Sequence, residues 1–413
     1  MLPLIVPIGA LLFGVALLLL GNGLLNTLIA VRGSMEGYSD GLMGLIMSGY
    51  FAGFFIGTFV AIPLISRIGY IRTFAFCAAL ISCSSLLHVL FVNPYFWLIL
   101  RIMTGTLLVI LYTVVESWLT AQTPTAQRGR VFAVYMVVNL GALTLAQQLL
   151  RLDSPLSFVL FAIAAMLISA GLAPVTLTRL AQPVITNTQR LKFKTLYELA
   201  PVAIVASTFS GLAMGAFWGM APIYAIHVGL EVDGVATFMS CAILGGALCQ
   251  FPMGRYSDKH DRRKVLGVIS LLASLAALLL AFSAYIGLLL LLAIAIYGGL
   301  AFSVYPVAIA HLVDQLEPEN NLAGVSGLLL LYGMGAAVGP ALAGQLMHFF
   351  GHQALPFYLC VAQMTLALYI IRICRMNKEK QPEHASQFVP MVRTSPSVLD
   401  LMPNEEIKTD ENI

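Results

Sequence analysis

The sequence predicts an all-α integral membrane protein: twelve transmembrane helices in two pseudo-symmetric six-helix bundles. Three observations carry that prediction. Of 413 residues, 59% are hydrophobic and 10% charged, with a mean hydropathy of +0.91, whereas an ordinary soluble domain is about a quarter charged. Nearly all of 4–376 divides into apolar segments of the roughly 20 residues that cross a bilayer as a helix. A polar stretch, "RLAQPVITNTQRLKFKTLYEL", splits those segments six and six. Runs such as "ALLFGVALLLL" lack the alternation of a membrane barrel.

Polar or Gly/Pro-rich breaks set the elements in order. Helix one, 4–31, lacks a basic n-region and is longer than a signal's apolar core, so it is expected to be retained. Helix two, 41–65, carries Gly49, Gly53 and Gly57 every fourth residue, a smooth stripe read as a structural sliding surface. Helix three, 71–92, ends at Asn93-Pro94, and helix four, 95–122, runs to a polar turn. Helices five, 129–150, and six, 154–178, complete an N-terminal bundle of 1–180. A cytoplasmic linker, 181–198, leads to a C-terminal bundle of 199–376, with helices at 199–228, 234–254, 264–284, 286–313, 322–350 and 354–375. The Pro-bearing remainder, 377–413, is too polar to bury a core and is expected to be a disordered cytoplasmic tail.

The two halves repeat. "SRIGYIR" at 66–72 follows helix two and "DKHDRRK" at 258–264 follows helix eight, an offset of 192 residues, and the Asn93-Pro94 hairpin maps close to Tyr285. Parallel repeats of this kind build paired bundles. Lys and Arg near the helix ends fix the expected orientation. With the N-terminus in the cytosol, nineteen fall inside, only Arg32 and Arg151 outside, and Arg101 within a helix. A multi-pass protein of the cytoplasmic (inner) membrane with both termini cytosolic is expected. Its six cysteines lie in apolar segments without CxxC or His-Cys spacing, which points to buried, reduced thiols.

"GRYSDKHDRRK" resembles the G-x-x-x-D-R-x-G-R-R/K loop of the major facilitator superfamily through Gly254, Asp258, Arg262 and Arg263, with Lys259 for the first Arg and Asp261 where Gly is usual. In "IPLISRIGYIR" Arg67 and Gly69 match, Arg72 lies one place beyond the basic pair, and Ser66 replaces the acid. "RIMTG" at 101–105 is similar to the family's R-x-x-x-G element in helix four, whereas helix five lacks the G-x-x-x-G-P element of drug antiporters. "VVESWL", "RGRVFAVYM", "LGGALCQFPMGRYSDK" and "VYPVAIA" resemble a small subfamily of uncharacterised bacterial transporters. The resemblance covers about 1–376. It implies a two-bundle carrier whose loop motif holds the cytoplasmic ends together in the outward-facing state, and whose helices one, four, seven and ten line a central cavity. The loop charges also serve topology alone as a competing reading, with exposed pairs worth about 0–1 kcal/mol each.

Candidate working residues follow from polarity inside the spans. Glu116 is the only acidic residue well inside one, and a carboxyl in a low dielectric exchanges protons near neutrality; pairing with Arg128 or Arg130 is the structural alternative. Arg101 contacts substrate, couples to proton movement, or makes a structural contact with a neighbouring helix. Arg101 and Glu116 stand 15 residues apart, about 22 Å along a helix, too far to pair. His311 occupies nearly the repeat position of Glu116 and titrates in a useful range. Asn22, Asn26, Gln147, Gln148 and Gln250 are helix-to-helix glue or substrate contacts, and Trp218 and Tyr224 stack on a substrate ring or simply fill the bundle.

The function expected is secondary active transport of a small solute by alternating access, coupled to protons, in a monomer surrounded by lipid. A drug/proton antiporter, or a sensor or assembly factor without transport, is the alternative. No metal cluster, Ser-Lys pair or phosphate loop is present in the spans, so an enzyme is not expected, nor a cofactor or a nucleic-acid partner.

Overall fold

The computed structural model describes residues 2–124, 127–177, 193–317 and 320–376, and every regular element among them is helical. The expected linker lies mostly outside them and the tail wholly so. Twelve helices are long and apolar enough to cross a membrane. They are α1 Leu2–Met35, α2 Asp40–Ile68, α3 Tyr70–Leu90, α4 Pro94–Gln122, α5 Arg128–Leu152 and α6 Val159–Leu177, then α7 Pro201–His227, α8 Val232–Asp258, α9 Arg262–Phe282, α10 Gly287–Val313, α11 Asn321–Phe350 and α12 Ala354–Met376. The last four residues of α5 tighten into a 3₁₀ turn, Leu149–Leu152.

Local chemistry sets the ends. Ser39 caps α2 by accepting from the Leu42 amide, and Asn93 caps α4 by accepting from the amides of Tyr95 and Phe96, satisfying donors that a helix start leaves open. Pro94 occupies the first turn of α4, where no amide is needed. Gly69 and Asp261, 192 residues apart, cap α3 and α9 differently: Gly69 turns at φ +81°, which a side chain would oppose, whereas Asp261 accepts from the Arg263 amide.

Packing repeats with the sequence. In the first half α1 packs on α5 and α6, α2 on α4, and α3 on α4 and α6; in the second α7 packs on α11 and α12, α8 on α10, and α9 on α10 and α12. The halves meet through α2 with α11, its counterpart α5 with α8, and α1 with α7. Exposed Val137, Leu248 and Phe282 lie on the outside, where lipid would cover them.

Two features add to the expectations. The glycine stripe of α2 packs closely, as expected, and its neighbour is α4 of the same bundle: a Cβ on Gly53 would clash with the Ile102 carbonyl. The bundle-to-bundle seam on α2 uses Gly41, Gly44 and Ser48 instead. The end of the expected linker is helical, Phe193–Leu199, because Leu196 is fully buried there and holds it against α7 and α11.

Candidate functional site

Cross-bundle contacts gather at one end and the middle of the molecule. A Cβ on Gly44 would fall 2.5 Å from the Pro340 carbonyl oxygen and 2.9 Å from the Gly344 Cα, so α2 and α11 touch backbone to backbone. Ser48 Oγ accepts from the Ala341 amide at 2.9 Å. On the symmetry-related seam, Gln148 Nε2 donates to Ser240 Oγ at 2.6 Å. Ser48 and Ser240 are 192 residues apart, as are Pro340 and Gln148. The two seams are thus one design used twice. At the outermost level His227 Nε2 meets Asp40 Oδ1 at 2.8 Å, and Arg151 donates to Thr237 Oγ1 at 2.6 Å. The His227 ring stacks on His352 at 6.1 Å. Burial, then the neighbouring His227, lowers the basicity of His352 below the ordinary histidine range, with Asp40 opposing. His352 therefore stays a neutral stacking partner.

At mid-depth α1 crosses α7 where Asn26 Nδ2 donates to the Trp218 carbonyl at 3.2 Å, again a pair 192 residues apart. Arg101 donates to Asn26 Oδ1 at 2.5 Å and lies 4.4 Å over the Tyr50 ring. A buried cation is thus matched by an amide oxygen and a ring face, and its bond fixes the direction of the amide that reaches the other bundle. Arg101 acts on the crossing through Asn26. Beside it, a small pocket within the C-terminal half is lined by Trp218, Phe302, Tyr305, Tyr332, Met214 and Ser210, with Gln250 at its wall.

Toward the other end, Glu116 is fully buried and accepts from Tyr135 Oη of α5 at 2.9 Å. Arg262 binds Asp314 at 2.7 Å and Asp258 at 3.1 Å, and Arg263 binds Asp261 at 3.0 Å. These pairs link α8, α9 and the end of α10 within the C-terminal half. Lys259, Arg67 and Arg72 are exposed, and Gly254 is buried under Ser257, whose hydroxyl donates to its carbonyl at 2.7 Å. His311 is buried three residues before Asp314.

The other sequence candidates divide plainly. Gln147 accepts from Thr27 Oγ1 at 2.7 Å and ties α1 to α5. Tyr224 is buried inside its own bundle, donating to the Leu280 carbonyl at 3.3 Å, and so does not stand at the cavity. Gln148 joins the bundles, and Gln250 donates to the Phe302 carbonyl at 3.1 Å. Sequence reasoning missed Ser48, Ser240, the Asp40–His227 contact and the rings of α10 and α11. Applying the 192-residue offset to every small polar residue would have exposed the serines; the rings carry no signal that separates them from bundle filler.

Two bundles with the same internal packing and a repeated seam make a pseudo-symmetric twelve-helix membrane fold. Residues 203–402 match the Major Facilitator Superfamily. The chain is 29% identical over 375 residues to the uncharacterised MFS-type transporter YcaD of Escherichia coli K12 / DH10B, covering 89% of this chain and 95% of that one. Among solved structures it resembles the nucleoside transporter NupG, with a TM-score of 0.72, 14% identity and 89% and 99% of the two chains covered. It also resembles a bacterial homolog of the human lysosomal transporter Spinster in an inward-facing, unoccupied conformation, with a TM-score of 0.68, 15% identity and 91% and 99% covered. The chain is thus similar to Major Facilitator Superfamily proteins, and its twelve-helix membrane fold is theirs.

Proposed function

We propose that the protein is a secondary active transporter that moves a small solute by rocking its two bundles about the central cavity, with proton binding at Glu116 as the coupling step. The observation that supports this reading is the contrast between the two ends: backbone-close contacts and hydrogen bonds join the bundles at the Asp40–His227 end, while among the described residues the ion pairs of Arg262 and Arg263 at the opposite end join α8, α9 and the end of α10. Lys and Arg cluster at that opposite end, which on the positive-inside rule faces the cytosol. The state described is then closed to the outside and open inward, in a monomer in the cytoplasmic membrane.

Glu116 suits the coupling role because its carboxyl is fully buried and its bond to Tyr135 links α4 to α5. α5 carries Gln148 and Arg151 into the closed seam, so a proton on Glu116 bears on the helix that the seam uses. The loop residues Asp258, Arg262 and Arg263 form the latch of the alternate state by exchanging partners when that end closes. Proteoliposomes containing a pH dye and challenged with a metabolite library under an imposed pH gradient test the reading. Solute-dependent proton flux is expected, lost in Glu116→Gln; transport with unchanged pH dependence in that variant contradicts it.

A further inference from the structure

We propose that the cavity takes an uncharged, planar ring compound with a hydrogen-bonding edge. The inference rests on the transport reading for its physiological meaning and on the cavity alone for its chemistry. Trp218 and Phe302 lie 5.8 Å apart at 33°, and Tyr305 and Tyr332 lie 4.5 Å apart at 42°, so two ring pairs form much of the wall. Aromatic walls favour a ligand with a π face of its own, and Met214 adds a polarizable side chain that adapts to the ring outline.

The polar part of the wall narrows the class. Ser210 is fully buried, and its Oγ has no hydrogen-bond partner among the described residues. Helical hydroxyls ordinarily bond back to the carbonyl one turn earlier, as Thr208 does to Ile204 and Ser303 to Gly299. Ser210 departs from that pattern at the cavity wall, where a ligand atom would satisfy it. Gln250 adds one amide, oriented by its bond to the Phe302 carbonyl. None of the lining side chains carries a formal charge, so an ionised ligand would lose its hydration without a counter-ion. Most of the wall is ring faces and aliphatic groups, which suit a flat ligand better than a non-planar sugar.

The test is equilibrium binding and thermal stabilisation of the purified full-length protein with three uncharged ring probes, adenosine, uridine and caffeine. Adenosine 5′-monophosphate is the charged comparison and glucose the non-planar one. At least one ring probe is expected to bind, with the monophosphate and glucose weaker by about tenfold or more. Phe302→Leu and Tyr305→Leu should each weaken that probe about tenfold, and Ser210→Ala about fivefold. Ligand-free melting temperatures identify which variants remain folded. Binding of none of the three ring probes overturns the proposal, as does glucose or the monophosphate binding as tightly as a ring probe. Unchanged affinity in a Phe302→Leu variant that melts like the parent does so too. Ring binding without proton-driven flux would defeat the transport reading and leave this one standing; proton-driven flux of a sugar without ring binding would do the reverse.

Discussion

At the Asp40–His227 end the two bundles meet through glycines, serines and a peptide-close seam, whereas at the Asp258–Arg262 end the charged side chains turn onto neighbours in their own bundle. The difference teaches what makes a seam reversible. A seam of small residues gains its energy from contact, neutral hydrogen bonds and the partly exposed charged contacts of Asp40 and Arg151, so opening it strands little that water cannot serve. A seam of ions must exchange one set of partners for another as it closes, and here Arg262 is held by Asp258 and Asp314 at once.

The largest way to disturb that contrast is Asp314→Asn. Side chains of Arg262 and Asp314 are only 3% and 1% exposed, and breaking a buried pair costs about 3–5 kcal/mol. The melting temperature should fall sharply, and the Asp258–Arg262 end should loosen within its own bundle. Next is Gly44→Val, whose Cβ meets Pro340 and Gly344 backbone at 2.5 and 2.9 Å. Overpacking of about 1–3 kcal/mol should pry the closed seam apart and shift the population about tenfold or more toward the opposite opening, read by spin-label distances. Asn26→Ala removes both the acceptor of Arg101 and the donor to Trp218. It should lower stability by about 1.5–3 kcal/mol in thermal unfolding and weaken the middle of the seam. The smallest effect belongs to Asp40→Asn, which severs a contact whose side chains are 36% and 16% exposed. A loss of about 0–1 kcal/mol, shrinking with added salt, is expected in the same distance measurement.

The fold was legible because a bilayer leaves the chain few options: apolar length fixed the twelve helices to within a few residues, and the 192-residue repeat fixed which helices correspond. Arg101 was legible as a residue needing a partner, since a buried cation is costly anywhere. Its partner Asn26 was visible only as one polar residue among several, because hydropathy does not say which helix face meets which. Tyr224 and Trp218 share a heptapeptide yet part company, one locked into its bundle by the Leu280 carbonyl and the other at the cavity. The glycine stripe of α2 shows the same limit: close approach was written in the sequence, the neighbour that approaches was not. The serines of the seams are short and common, and only their spacing marks them.

Alternating motion of the two ends is the central claim, and the repeat supplies symmetric places to measure it. Ser39 and Glu231 mark the closed end and Arg67 and Lys259 the other; all four are exposed, and each pair is 192 residues apart. Spin-label distances across both pairs, taken in lipid nanodiscs on the full-length protein, should fall into two populations. In one the 39–231 distance is short while the 67–259 distance is long, and in the other the order is reversed, with Gly44→Val moving weight to the second. Two distances that lengthen and shorten together, or a single population in every variant, would contradict the account.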